Sequence, residues 1–136
     1  MTTITIGKLA KQAGMGVETL RYYERRGLIA PRHRTQAGYR LYDPDAVRRL
    51  RFIRRAQTLG FTLDEIGGLL AFSDDPDASA GEVKAMTQAK IEDIDRRIQD
   101  LERMKRALEG LAEGCPGHRA TTADCPILAA LNGEDQ

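Results

Sequence analysis

The chain has 136 residues, 41% of them hydrophobic and 30% charged, enough for one ordinary core, or for a small core plus a long helix that needs a partner. Such a length excludes most enzymes, and no nucleophile, base and orienting group can be placed together from these residues, so the expectation is a non-enzyme. The formal charge of +1 conceals an asymmetry: residues 1–55 carry 13 Lys+Arg against 4 Asp+Glu, a net +9, leaving 8 against 16, a net −8, for residues 56–136. A +9 half gains free energy by releasing counterions from a phosphate backbone, whereas the acidic half is repelled by one.

In chain order, Ile6, Leu9, Ala10 and Ala13 lie at helical spacing until Gly14 stops the run. After a glycine-bearing turn, VETLRYYERRGLI sets Val17, Leu20 and Tyr23 or Glu24 on successive turns and ends at Gly27. Two short helices joined this way predict a helix-turn-helix. In APRHRTQAGYRLYDPD, Pro31, Gly38 and Pro44 punctuate two short arms, and Tyr39, Leu41 and Tyr42 favour extended backbone, which predicts a small β-wing. The next helix is expected to be capped by Asp43, with Pro44 at its first position and an apolar stripe of Val47, Leu50, Ile53 and Leu59, ending at Gly60. Thr62 and Glu65 have the spacing of a capping box that opens a helix running to Phe72.

SDDPDASAG reads as a polar linker, and from about Glu82 to Ala112 the series Val83, Ile91, Ile94, Ile98, Leu101, Met104, Leu108, Leu111 steps by threes and fours, the seam of a coiled coil. An apolar stripe left in water costs about 0.8 kcal/mol per CH₂, so a homodimer is expected, parallel or antiparallel as far as periodicity goes. The chain closes with a cysteine-bounded loop, the short apolar helix PILAAL and a polar tail.

The exposed face of the second helix carries Glu18, Thr19, Arg21, Tyr22 and Arg25, and the wing adds Arg32, His33, Arg34, Tyr39 and Arg40. Arginine is the commonest base reader and phosphate binder, and a β-ribbon tip lays such groups along a neighbouring backbone. Singly, each arginine reads equally well as solvated surface, as do Arg48, Arg49, Arg51, Arg54 and Arg55; Tyr22, Tyr23 and Tyr42 read equally as core aromatics with a wet hydroxyl, Tyr23 more so than Tyr22.

The N-terminus lacks the continuous apolar stretch of a signal peptide, and no segment approaches the ~20 apolar residues of a membrane span, so a cytoplasmic protein is expected. In that reducing compartment Cys115 and Cys125 point to metal or redox chemistry rather than to a structural disulfide. They bracket PGHRATTAD, and two thiolates suit a soft d¹⁰ ion such as linear Cu(I), Ag(I) or Au(I), whereas Zn(II) wants about four ligands. His118, inside the loop, is either a solvated residue or a further ligand that, with Asp124 or water, completes a divalent site. A redox pair and two inert thiols are the other readings.

The run from TIGKLAKQAG to FTLDEIGGLL, with VETLRYYERRGL and GYRLYDPD at its centre, resembles the N-terminal domain of MerR-family regulators, and the dimer helix and cysteine loop resemble the metal-sensing branch of that family. The resemblance implies a mainly α fold: a winged helix-turn-helix with a small β-wing over residues 1–75, a linker and long antiparallel coiled-coil dimerisation helix over 76–113, and a metal-binding loop, short helix and tail over 114–136. It implies that Arg21 and Tyr22 contact the backbone or bases of promoter DNA and that Tyr39 and Arg40 hold phosphates from the wing, to which the exposed helix face and the wing add Thr19, Arg25 and Arg34 as expected DNA contacts. It further implies action with RNA polymerase at a promoter with an overlong spacer, which ion binding untwists and bends. Cys115 and Cys125 would hold Cu(I), Ag(I) or Au(I), controlling efflux or detoxification genes. Relatives that sense Zn(II), Cd(II), Pb(II) or Hg(II) usually bring a further cysteine at the start of the dimer helix, where this chain has Ser79 and Ala80. Its nine-residue loop is slightly longer than the copper type, and a thiol-redox regulator of the same fold stands as the nearest rival.

Overall fold

Local sequence signals decide where each helix of the computed structural model begins and ends; it describes residues 2–133, so the expected polar tail from Glu134 onward lies outside the described residues. Thr5 accepts a hydrogen bond from the Lys8 amide and opens α1 (Ile6–Ala13), which closes on Gly14 in the left-handed region at φ 68°. Helix α2 (Val17–Arg25) follows, then strands β2 (His33–Arg34) and β3 (Arg40–Tyr42). Two helices complete the N-terminal part, α3 (Ala46–Thr58) and α4 (Leu63–Asp74). A first compact unit ends at Met86 and a second begins at Thr87.

One strand has no local signal in the sequence. Ile4–Thr5 forms β1, which pairs antiparallel with β3, Ile4 opposite Tyr42, so the sheet order is β1-β3-β2 and the wing is rooted in the N-terminus. Two residues carry no periodicity, so nothing local announces this strand.

The core of the first unit is a single cluster in which Leu9, Leu20, Tyr42, Leu50, Ile53 and Ile66 are fully buried. In α3 the stripe continues through buried Ala56, not Leu59, which is exposed at the C-cap. Six residues beyond Ile53, Leu59 falls off the core-facing stripe of a 3.6-residue helix. With Phe52, Phe61 and Leu69 it lines a shallow groove edged by Arg48, Arg51 and Arg55. Arg49 and Arg54 have structural partners: Arg49 donates to the Leu28 carbonyl and pairs with Asp74, and Arg54 donates to the Gly14 carbonyl at the end of α1.

The start of α3 differs from expectation. Asp45 is the N-cap and makes no side-chain cap bond; Asp43 instead accepts from the Asp45 amide in a tight turn, with Pro44 ahead of the helix. Asp-Pro favours a turn as much as a helix start, and here the turn wins. In contrast, the capping box of α4 is present in full, Thr62 Oγ1 accepting from the Glu65 amide and Glu65 from the Thr62 amide. Thr62→Ala should cost about 1 kcal/mol, read as a fall in the denaturant midpoint at unchanged slope.

Helix α5 (Ala80–Glu113) is 34 residues long. Ser79 Oγ accepts from the Gly81 amide at its start. In the second unit Ile91, Ile94, Ile98, Leu101, Met104 and Leu108 are all exposed along one stripe, and Leu101, Met104, Leu108 and Ala112 line a shallow, largely apolar depression. After α5 come two 3₁₀ turns, Gly117–Arg119 and Thr122–Asp124, and the short helix α6 (Pro126–Leu131). No helix among the described residues is long and apolar enough to cross a membrane.

Candidate DNA interface and thiolate site

Because Leu20 and Tyr23 of α2 face the core, the same helix turns Thr19, Arg21, Tyr22 and Arg25 outward, all exposed. Tyr23, buried, donates to Gln57; of the adjacent tyrosines it is the core residue, while Tyr22 is 40% exposed. Arg21 pairs with Glu18 one turn back at 2.8 Å, both largely in solvent. Such a pair is weak and readily exchanged for a phosphate. The guanidinium carbons of Arg25 and Arg26 stand 5.8 and 5.7 Å from the Tyr22 ring centroid. Arg26 donates to both Tyr22 Oη and Asp64 in the first turn of α4. Asp64 first, then Tyr22, hold the Arg26 charge more firmly than usual.

No local signal marks Arg26, because its partner Asp64 lies 38 residues away along the chain.

In the wing, β2 and β3 set Arg34 directly opposite Arg40. Like charges in that relation destabilise a sheet, so the pair concentrates positive potential at a cost to the free protein. Gly38, at φ 89°, lets the chain turn between the strands, and Thr35 accepts from the Tyr39 amide, leaving the Tyr39 side chain 70% exposed. Arg32 pairs with Asp43 at 2.9 Å. The Asp45 amide first, and Arg32 after it, hold the Asp43 carboxyl below the usual carboxylate range.

Arg40 Nε lies 2.7 Å from Glu24 Oε2 on α2, but its N–H does not point along the contact, so this is an ion pair without an aligned hydrogen bond. Tyr42, fully buried, donates to the other oxygen of Glu24. Burial first, and the bond to Glu24 second, push the Tyr42 phenol well above its usual range.

Cys115 follows immediately on Gly114 at the end of α5, and Cys125 caps α6; both thiols are free and half-buried. A Cβ on Gly114 would stand 3.7 Å from Pro126, so the two segments approach closely beside the sulfurs. The Leu128 amide, then the Ile127 amide and the Cys115 thiol, donate to the Cys125 sulfur and hold its pKa below the ordinary thiol value, partial desolvation opposing them. A folded-state pKa below the unfolded one stabilises the fold above the ordinary thiol range and is lost as pH falls through the folded value. Iodoacetamide should therefore alkylate Cys125 at lower pH in the folded protein than in urea, which peptide mapping of rate against pH will show. His118 lies exposed in the first 3₁₀ turn. Among the described residues no group of three or more His, Cys, Asp or Glu side chains converges as a metal site.

With this geometry in view, residues 4–73 match the family model described as "MerR HTH family regulatory protein" and residues 47–111 that described as "MerR, DNA binding". The chain belongs to the MerR family. MerR proteins are DNA-binding transcription regulators, not enzymes. Among the MerR relatives of this chain, the mercuric resistance operon regulatory protein of Bacillus cereus is 48% identical over 93% of the chain and 95% of its own length. The HTH-type transcriptional regulator CueR of Yersinia pestis is 40% identical over 96% and 92%. Among solved MerR structures, that of PbrR691 from Ralstonia metallidurans CH34 in complex with lead(II) superposes with a TM-score of 0.85 at 38% identity, covering 94% of this chain and 98% of that one. The mainly helical winged fold expected from the sequence is thus the fold of these MerR relatives.

Proposed function

We propose that this protein is a cytoplasmic, homodimeric regulator that senses a monovalent soft ion, Cu(I), Ag(I) or Au(I), and activates metal efflux or detoxification genes when the ion is bound. The observation that carries the ion assignment is the close approach of the two cysteine-bearing segments, a Cβ on Gly114 standing 3.7 Å from Pro126, with no group of three or more His, Cys, Asp or Glu side chains converging as a metal site among the described residues. Two thiolates match the coordination number of a monovalent d¹⁰ ion and fall short of the four that Zn(II) takes. Ser79, where a further cysteine would otherwise enter, spends its hydroxyl on capping α5. The 40% identity to CueR supports the same reading.

Thr19, Arg21, Tyr22 and Arg25 on α2 would enter the major groove, with Arg34, Tyr39 and Arg40 of the wing on flanking phosphates. The exposed α5 stripe would seat an antiparallel copy of itself, bringing two winged domains to one promoter alongside RNA polymerase. Cys115 and Cys125 would hold the ion as thiolates, and a monovalent cation would offset one of their two negative charges, leaving one in place. Cys115 lies just beyond the end of α5 and Cys125 opens α6, so holding both sulfurs at one ion would fix α6 against the end of the dimer helix. That change would bias the paired winged domains between two settings and, through them, the twist of the promoter.

A second reading, Hg(II) or Pb(II), draws on the mercuric relative and on the lead-bound structure; Hg(II) too is a soft thiophile. Titration of the thiol-reduced protein with Cu(I), Hg(II), Pb(II) and Zn(II) against competing chelators separates them. One Cu(I) per chain held far more tightly than Zn(II), and Cu(I)-dependent but not Hg(II)-dependent change in the DNA complex, is the expected result. A response to Hg(II) alone, or a Zn(II) site that depends on His118, overturns the monovalent assignment.

A further inference from the structure

A carboxylate in the middle of a +9 DNA-binding domain is expected on charge alone to weaken the grip on a polyanion. Glu24 is such a carboxylate, on α2 one turn from exposed Arg21 and next to Arg25 in sequence, and only 18% of its side chain is exposed. Its two oxygens are used differently. Oε1 accepts from Tyr42, which is fully buried and pairs through the sheet with Ile4. Oε2 holds Arg40 Nε at 2.7 Å.

Arg40 Nε is itself buried, yet 38% of the Arg40 side chain is exposed, so that exposure belongs to its other atoms. Arg34 stands directly opposite on β2 and would push an untethered Arg40 away.

We propose that Glu24 is a positioning residue of the DNA interface, tying the wing to α2 and holding the Arg40 guanidinium in place before DNA arrives. The inference rests on the reading of Arg40 as a phosphate contact. Glu24 touches no DNA in this account; it acts through Arg40. An arginine already held against a carboxylate loses less rotamer freedom on binding than a free one, which is why an acid strengthens the complex here. Losing that pre-ordering is worth up to about tenfold in affinity.

The test uses the full-length protein and a duplex that the wild type enriches from a randomised pool, with affinity measured by fluorescence anisotropy across a range of salt. Glu24→Gln, which keeps an acceptor for Tyr42 and removes the charge, is expected to bind about tenfold more weakly although it makes the domain more positive. Arg40→Ala should bind more weakly with a salt slope smaller by about one. The double variant should be no weaker than Arg40→Ala alone, since Glu24 works only through Arg40.

Glu24→Gln binding as tightly as wild type or tighter overturns the proposal, as do losses that simply add in the double variant, the pattern of a general folding defect. Arg40→Ala without effect overturns instead the phosphate reading beneath it. Should Glu24→Gln fail to fold, Arg40→Lys decides: it keeps the cation but lacks the Nε that Glu24 holds. Arg40→Lys is expected to lose a similar factor with an unchanged salt slope, and wild-type affinity in that variant overturns the proposal.

Discussion

Serine in place of Cys125 is expected to leave the protein bound to its operator while removing its response to ion. In the folded chain Cys125 is the sulfur toward which two backbone amides and the Cys115 thiol converge, and a hydroxyl at that position offers a soft ion a poor ligand. Loss of an outer-shell partner to a metal ligand costs roughly 10–100-fold in metal affinity, so loss of one of only two ligands should exceed 100-fold. Neither cysteine lies in the winged domain, and a conservative change at a half-buried loop position stays near ±0.5 kcal/mol; the DNA affinity of the ion-free protein should therefore shift by no more than about threefold. Chelator competition and anisotropy on the same preparation read both quantities. Cys115→Ser should behave the same way, and a full ion response in either variant would sink the sensor assignment.

The second large effect concerns the seam. Ile98 and Leu101 are 47% and 59% exposed in the single chain. If they stayed in water, Ile98→Asp with Leu101→Asp would change stability by only about ±0.5 kcal/mol per site. Buried against a second copy, each apolar side chain contributes about 1.5–3 kcal/mol, a dimer carries both positions twice, and the carboxylates would have to be desolvated as well. The doubly substituted chain is therefore expected to sediment as a monomer at concentrations where the wild type is a dimer, and to lose operator affinity by several orders of magnitude because the two half-sites no longer reinforce each other. Analytical ultracentrifugation that finds it dimeric would remove α5 as the dimerisation element.

Much of this architecture is written in short-range signals. Thr62 and Glu65 are three residues apart, and their reciprocal bonds form as that spacing implies; Gly14 and Gly60, each closing a helix, both adopt the positive φ that glycine allows. The seam of α5 was legible because its period repeats for eight turns. What the sequence hid were pairings between distant segments: β1, which exists only because β3 accepts it; Arg26, defined by Asp64; and the partners of Glu24, which helical spacing offers only as an alternative to Tyr23 on the inner stripe until the wing folds Tyr42 and Arg40 onto it. Asp43 and Leu59 depart from their expected places for a related reason, since one or two residues decide which side of a helix boundary, or of a stripe, a side chain falls on. The thiolate pair was legible in its members; the amides aimed at Cys125 became visible only with the start of α6 in place.

The facing arginines at positions 34 and 40 give dissolved salt two opposing jobs. Mobile anions gathering at that tip relieve the mutual repulsion and steady the free wing, and the same anions compete with the phosphates that the tip is shaped to meet. A preparation kept at high ionic strength would thus look its most robust under the conditions in which it engages DNA least, and thermal resistance is a poor guide to regulatory fitness for this chain.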